Sequence, residues 1–518
     1  MSQQMYQPDS PSRFTGLREV LKVSAPASMS MLNGTITRFI DGIMVAKLGA
    51  EAGKVALAAQ GVAGIMAFAP EALAMGTLSV VNTFVSQNLG AGRLRRCGQY
   101  TWSGLTLALM AAMIIFPVGL LVARPLFSSL PQGESFSTLI PTERLVSMEI
   151  MYFRYMVFGA LLTLPSRVIE GFLFGIHRPM LVFFISLVSN AFNIVGNYAL
   201  IYGKWGLPRL ELEGAAIASV ASWGLQLVIL LVVFMSAKMN LRYSTRRFGR
   251  YVTKQWREIF RIGWPAGVQF FNDVLSWAVF NTVLVGFFGA IHLAASQTVI
   301  RYMSLSFMPA VGIGIAATAI VGRYIGERKP DLARARTRTA VKTAVVYMSL
   351  CGLAFLLLGR PLMILFASQD PNLQVNEVFI EAGRQILALA AIFQLFDALG
   401  IVYVGALRGA GDTRWPMLVT MVLSWGVTVG VGWAFVVFMP QLAGTGPWIA
   451  ASAYVIILGL LVAWRFEGGA WRRIDLLGRK GAELEPAALE ATAHAPLNPD
   501  RRHESVDVTG VEELSEEP

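Results

Sequence analysis

The stretch MLVTMVLSWGVTVGVGWAFVVFM, residues 417–439, runs 23 positions without a charged side chain. A helix of roughly 20 such residues crosses the ~30 Å hydrocarbon core of a bilayer. Leu105–Val122 and Val341–Leu358 read the same way, with Lys342 as their only charge, near one end. Working outward, the chain of 518 residues is 55% hydrophobic and 14% charged, with a mean hydropathy of +0.56. Soluble domains carry about 25% charged residues. These values exclude a soluble enzyme, a collagen, a disulfide scaffold and a disordered chain, and they indicate a polytopic helical membrane protein.

Apolar windows between charged or Gly/Pro breaks give twelve expected spans. They are 19–48, 55–88, 98–124, 146–174, 179–202, 214–237, 257–289, 293–322, 339–359, 381–406, 415–438 and 447–466. Basic residues gather in alternate loops. Arg13, Arg18 and Lys22 precede the first span, and Arg93, Arg95 and Arg96 follow the second. Lys238, Arg242, Arg246, Arg247, Arg250 and Lys254 follow the sixth, and Arg323, Arg328, Lys329, Arg334, Arg336 and Arg338 follow the eighth. Arg472, Arg473, Arg479 and Lys480 follow the twelfth, whereas 289–293 and 439–447 contain no Lys or Arg. The positive-inside rule places the rich loops and both termini in the cytoplasm, a parity that twelve spans satisfy. The net charge of +11 is thus a topology and lipid-headgroup signal, not a nucleic-acid surface. From Glu483 onward ten acids face Arg501 and Arg502, and the tail reads as disordered from about 482. Cys97 and Cys351 occupy unrelated settings and predict no disulfide.

The halves echo each other. Ser24-Ala25-Pro26-Ala27 returns as Gly263-Trp264-Pro265-Ala266, and Leu48-Gly49-Ala50 returns as Phe288-Gly289-Ala290. Gly171-Phe172-Leu173-Phe174-Gly175 returns as Gly405-Ala406-Leu407-Arg408-Gly409. Six spans per copy is an even number, so the copies share an orientation and are related by an axis along the membrane normal. The expected organisation is an N-terminal segment 1–18, an N-lobe 19–237, a basic linker 238–256, a C-lobe 257–468 and a tail 469–518. Pro26 and Pro265 each remove a backbone hydrogen bond and are candidate hinges.

An ionisable group at mid-span costs about 2.5–3.5 kcal/mol on insertion scales, so each needs a reason. Asp41 shares a helical stripe with Asn33 and Thr37, and Arg38, three residues before it, offers a salt pair as the alternative reading. Asp273 sits beside Asn272 with Gln269 one turn away, and Asp397 has no basic neighbour in its own turn. Two isolated acids in one bundle share a proton or coordinate a small cation with nearby oxygens. Asn190, Asn193 and Asn197 supply oxygens near Asp41, and Gln297 supplies one in the second half. Glu71 follows Pro70, while Arg167 with Glu170 reads as a structural pair. Phe, Met and Trp faces suit flat amphipathic cations. HExxH, a Walker loop, GxSxG and CxxC do not occur in the sequence, so no enzyme and no cofactor is expected.

Taken in order, Pro26 through Phe39-Ile40-Asp41, Val85-Ser86-Gln87-Asn88-Leu89-Gly90-Ala91-Gly92 and Asn193-Ile194-Val195-Gly196-Asn197-Tyr198 resemble the MATE (multidrug and toxic compound extrusion) family, nearest its NorM branch. Tyr202-Gly203-Lys204-Trp205-Gly206, Phe270-Phe271-Asn272-Asp273, Phe396-Asp397 and Gly405 through Thr413 carry the likeness onward, over about 18–470. The resemblance implies a two-lobed, twelve-helix antiporter that expels organic cations against inward Na⁺ or H⁺, Na⁺ being the NorM expectation. Its acids map onto Asp41, Asp273 and Asp397, with Na⁺ at Asp273 and Asp397. Asn197 stands where some branches place a second acid. The expected setting is a bacterial inner membrane, as a monomer among lipids. The alternatives are a lipid-linked oligosaccharide flippase of the same superfamily and, less favoured, an integral-membrane enzyme.

Overall fold

The computed structural model describes residues 13–48, 52–129, 142–247, 252–367 and 377–477. The acidic tail therefore lies outside the described residues, as do the first twelve. Hydrocarbon cannot satisfy backbone N–H and C=O groups, so the apolar runs close their hydrogen bonds internally. Among the described residues the regular structure is helical throughout. The first half holds α1 (Arg13–Ala46), α2 (Ala52–Leu78), α3 (Val80–Gly90), α4 (Leu94–Ser129), α5 (Thr142–Gly175), α6 (Pro179–Tyr202), α7 (Glu211–Phe234) and the short α8 (Ala237–Tyr243). The second half holds α9 (Val252–Val279), α10 (Ala290–Gly326), α11 (Pro330–Ala367), α12 (Glu377–Ala410), α13 (Arg414–Leu423), α14 (Gly432–Phe438) and α15 (Thr445–Glu467).

Eleven spans among the described residues are long and apolar enough to cross a membrane. One of them joins α2 and α3 through Ser79, whose Oγ donates to the Gly76 carbonyl at 2.6 Å. The remaining expected span, 19–48, falls on α1. Its 34 residues reach about 51 Å, but Arg18, Glu19, Lys22, Arg38 and Asp41 make it the least apolar. Observed spans overrun the expected windows at most ends, because helices continue past the hydrocarbon into the headgroup layer.

Two of the four apolar cores belong to the first half and two to the second. The cores also share residues across the halves: Ile259 and Ala266 join a first-half core, and Val20 and Val23 join a second-half core. Hydrogen bonds between the halves run from the middle of the spans to the Arg-rich end. Ser28 donates to Pro309 O at 2.6 Å, Thr83 to Arg408 O at 2.9 Å and Gln87 to Gly409 O at 2.9 Å. Tyr100 donates to Glu258 at 2.5 Å, and Arg336 pairs with Glu19 at 2.7 Å. Backbones meet there because side chains are missing. A Cβ on Gly76 would lie 2.5 Å from Ala266 O, and one on Gly322 would collide with the Ser86 hydroxyl. Toward the Arg-poor end, Gly61 and Gly64 have nothing within 4 Å of a built Cβ.

The Arg-rich end of the second half is tied together by charge. Glu467 on α15 accepts from Arg334 and Arg338 of α11, each at 2.7 Å, and from Tyr403 of α12 at 3.1 Å. Asp412 of the Gly-Asp-Thr motif pairs with Arg465 at 2.9 Å, and Thr413 donates to Ile262 O at 2.7 Å.

His177 lies in the turn between α5 and α6 with both ring nitrogens shut off from solvent and φ of 58°. Burial, aided by the Arg323 charge, lowers its pKa from 6.5 to about 4. Between those values the folded state binds fewer protons than the unfolded one. Stability is therefore fully present above pH 6.5 and falls as pH drops toward 4. His177→Asn, which tolerates this φ, removes that slope: thermal unfolding at pH 7.5 and pH 5 should differ by about 2 kcal/mol less than in the parent.

Candidate functional site

In the first half, Asp41 of α1 meets the asparagine ladder of α6. Asn197 Nδ2 donates to Asp41 Oδ1 at 2.6 Å and also faces Asn193 Oδ1 at 3.2 Å, while Asn193 Nδ2 reaches Ser219 Oγ on α7 at 3.4 Å. The i, i+4 spacing of the two asparagines puts both amides on one face. Tyr152 lies within electrostatic reach of Asp41 and accepts from Gln60 at 3.4 Å. Thr37 does not join this set, because its hydroxyl donates to the Asn33 carbonyl at 3.0 Å. The Asn33 amide nitrogen is buried without a partner among the described residues. Arg38 and Asp41 interact only at a distance and form no ion pair within 4.0 Å. Asn197 therefore takes the place the salt-pair reading gave to Arg38.

Beside this set lies a second one. Thr163, Arg167 and Glu170 share a face of α5. Thr163 donates to Glu71 of α2 at 3.4 Å, Arg167 pairs with Glu170 at 3.0 Å, and Gln226 of α7 donates to Glu170 at 2.7 Å.

In the second half, Asp273 of α9 and Asp397 of α12 both lie within electrostatic reach of the buried Tyr454 on α15. Asp273 Oδ1 is buried with no hydrogen-bond partner among the described residues. Arg408, three turns along α12 from Asp397, lies within electrostatic reach of Asp273. A buried carboxylate oxygen without a donor is chemically suited to a proton or a hard monovalent cation. The neighbouring amides are already engaged. Gln269 donates to Thr420 at 3.2 Å, and Asn272 donates to Ser424 at 2.9 Å and accepts from Trp425 Nε1 at 2.8 Å. Ser424 opens a π-helical segment, Ser424–Val431, that aims Ser424 and Trp425 at Asn272. Gln297 is exposed and stands apart, while Ser296 beside it bonds Asn281 at 3.0 Å and Trp448 at 3.1 Å. Pro26 and Pro265 are both buried inside continuous helices.

Sequence reasoning did not single out Tyr454 or Arg408. Arg408 stood within the repeated Gly-rich motif, and its charge there was the available signal.

Comparison with known proteins places these features in context. The MatE family model matches residues 26–199 and 265–446. The "Probable multidrug resistance protein NorM" of Synechocystis sp. is 28% identical over 454 residues, spanning 87% of this chain and 94% of that protein. The "Multidrug resistance protein NorM" of Burkholderia vietnamiensis is 29% identical over 456 residues, spanning 87% and 93%. Among solved structures, a MOP superfamily transporter from Pyrococcus furiosus Vc1, described as having a binding pocket of reverse polarity, superposes with a TM-score of 0.77 at 21% identity, covering 89% of this chain and 97% of that one. An outward-facing multidrug resistance MATE family transporter gives 0.75 at 20% identity, covering 89% and 97%. At these identities the structural likeness speaks for the fold.

Asn272→Leu deletes one buried and one part-buried hydrogen bond and leaves the Trp425 indole N–H unpaired, while Ser424 keeps its bond to the Met421 carbonyl. An SDS-unfolding titration should show a loss of about 1–2 kcal/mol.

Proposed function

The chain belongs to the MATE family, and on that premise we propose that it is a secondary multidrug efflux antiporter exporting amphipathic organic cations in exchange for inward Na⁺ or H⁺. The observation that carries this reading is Asp273, whose Oδ1 is buried without a hydrogen-bond partner among the described residues, on a helix that shares with Asp397 the electrostatic surroundings of Tyr454. A site of that chemistry loads and releases one small cation without a resident cofactor. Asp41 with Asn197 is a further cation contact in the first half. Pro26 and Pro265 are the hinges in this scheme.

Alternating access follows from where the halves touch. With the Arg-rich end assigned to the cytoplasm by the positive-inside rule, the crossing contacts seal that side, and the described arrangement corresponds to release outward. A coupling cation drives the cycle only by binding one lobe arrangement better than the other. One-for-one exchange of monovalent ions moves no net charge, so a tenfold chemical gradient supplies about 1.4 kcal/mol per exchange. Na⁺ remains the favoured ion, on NorM likeness. The flippase reading asks for several cationic groups facing a pyrophosphate. Here Arg38 and Arg167 are accompanied by Asp41, Glu71 and Glu170, and efflux accounts better for that balance.

Two experiments test the scheme. In proteoliposomes carrying a fluorescent organic cation, an imposed Na⁺ or pH gradient drives wild-type transport, and Asp273→Asn with Asp397→Asn abolishes it while the protein stays folded. Transport that survives the double substitution removes these acids from coupling. Second, Ser86→Cys with Gly322→Cys, in a chain lacking Cys97 and Cys351, joins positions where a Cβ on Gly322 would be 3.1 Å from Ser86 Cβ. Oxidation should stop transport and reduction restore it; undiminished transport by the cross-linked protein contradicts alternating access.

A further inference from the structure

At its Arg-rich end the first half holds a recess of about 360 Å³, lined by Gly92, Arg93, Leu94, Arg95, Arg96 and Arg242. Four of the six are arginines, and they come from two separate places in the chain. Gly92, in the turn between α3 and α4, has a φ of 72°, a conformation glycine adopts without steric cost. The segment after α7 reaches this turn because α8 is packed on the foot of α4. Met239 and Tyr243 of α8 are buried in a first-half core, and a Cβ on Gly98 would lie 2.5 Å from Tyr243 O. Trp102 Nε1 of α4 donates to Thr245 O at 2.7 Å. Arg242 lies over the Tyr243 ring, 5.5 Å from its centroid.

The four arginines depart from the habit of this end of the molecule. Arg323 pairs with Glu327, Arg334 and Arg338 with Glu467, Arg336 with Glu19, Arg465 with Asp412 and Arg472 with Asp331. Arg93, Arg95, Arg96 and Arg242 have no ion pair within 4.0 Å among the described residues. Glu258 nearby is taken by Tyr100 at 2.5 Å, and Asp475 bears on Arg93 only from a distance. The N-terminus of the 36-residue α4 adds its dipole to the same positive field. Gathered guanidinium groups repel one another unless an anion lies between them, and their forks match the oxygens of a phosphate.

The depth of the recess selects the kind of phosphate. No charged side chain occurs from Cys97 through Ala123, so Arg96 is the last charge before the hydrocarbon span of α4. Trp102, six residues further on, has the polar-tipped aromatic character of a membrane-interface anchor. The recess thus lies at the headgroup level. Leu94 lines it, and Leu241, next to Arg242, is 87% exposed. An apolar side chain that bare beside a membrane span is covered by acyl chains. Charge within and leucines at the rim suit a phosphate that carries its own hydrocarbon.

We propose that this recess is a binding site for one anionic phospholipid, with the four arginines on the phosphate and Leu94 and Leu241 against the acyl chains. Every basic loop attracts anionic lipid diffusely; a built site differs by depending on particular guanidinium groups.

The test counts lipids retained by the full chain in a neutral detergent, by native mass spectrometry, as phosphatidylglycerol or phosphatidylcholine is added. The wild type should hold one phosphatidylglycerol about tenfold or more tightly than phosphatidylcholine. Arg96→Gln with Arg242→Gln should lower that affinity about tenfold. Lys238→Gln with Arg247→Gln removes the same charge outside the recess and should lower it by less than about twofold. Equal losses from the two pairs reduce the effect to diffuse attraction and overturn the proposal, as does no loss from either. If the glutamine pair at Arg96 and Arg242 fails to fold, Arg96→Lys with Arg242→Lys keeps the charge without the forks. That pair should still lose more than the control pair, and an unmoved affinity overturns the site. Glycerol 3-phosphate in excess should leave the bound lipid in place; its displacement would give the recess to a soluble phosphate and overturn the lipid assignment.

Discussion

Hydrocarbon offers no hydrogen bonds, and most of this molecule is arranged around that lack. Backbones close on themselves as helices, and polar side chains find partners on neighbouring helices. Asn197 reaches Asp41, Asn272 sits between Ser424 and Trp425, and Gln394 donates to Ser306 at 2.7 Å. Against that background, Asp273 Oδ1, buried with no partner among the described residues, is conspicuous. In the proposed scheme that oxygen is the one a coupling cation engages, while Gln269 and Asn272 beside it are held by α13 and the π-helical segment.

The two halves use the same architecture for different chemistry. The second half sets Asp273 and Asp397 within electrostatic reach of Tyr454, with Arg408 bearing on Asp273. The first half mixes signs, with Asp41, Glu71 and Glu170 interleaved with Arg38 and Arg167. An internal repeat makes this division of labour possible, since each copy is free to diverge while the contact surface between them is preserved. That surface is built from absent side chains at positions such as Gly76 and Gly326, where a Cβ would meet the backbone of the other half.

Much of the fold was legible because its signals are local. An apolar run declares its own span, an Arg-rich loop declares its side, and a lone acid in hydrocarbon declares its cost. Harder to read was anything that depends on which helix lies beside which. Arg38 looked like a partner for Asp41 at three residues' distance, but the carboxylate turns to Asn197, 156 positions away. Tyr454 bears on both second-half acids from a helix with no sequence link to either. The π-helical turn at Ser424–Val431 leaves no mark in composition. Gly411-Asp412-Thr413, in the second half, is an anchoring device, with Asp412 on Arg465 and Thr413 on Ile262.

The clamp on Glu467 has a mechanical meaning. By binding α11, α12 and α15 at their shared base, it makes that end of the second half a stiff footing, so bending is concentrated at the seam with the first half. A helix such as α10, 37 residues and about 55 Å long, then acts as a lever. A tilt of about 5° at its foot carries its far tip by about 5 Å, nearly one helical pitch. Small slippage at a tight, glycine-lined fulcrum is thereby geared up into a wide aperture at the opposite face.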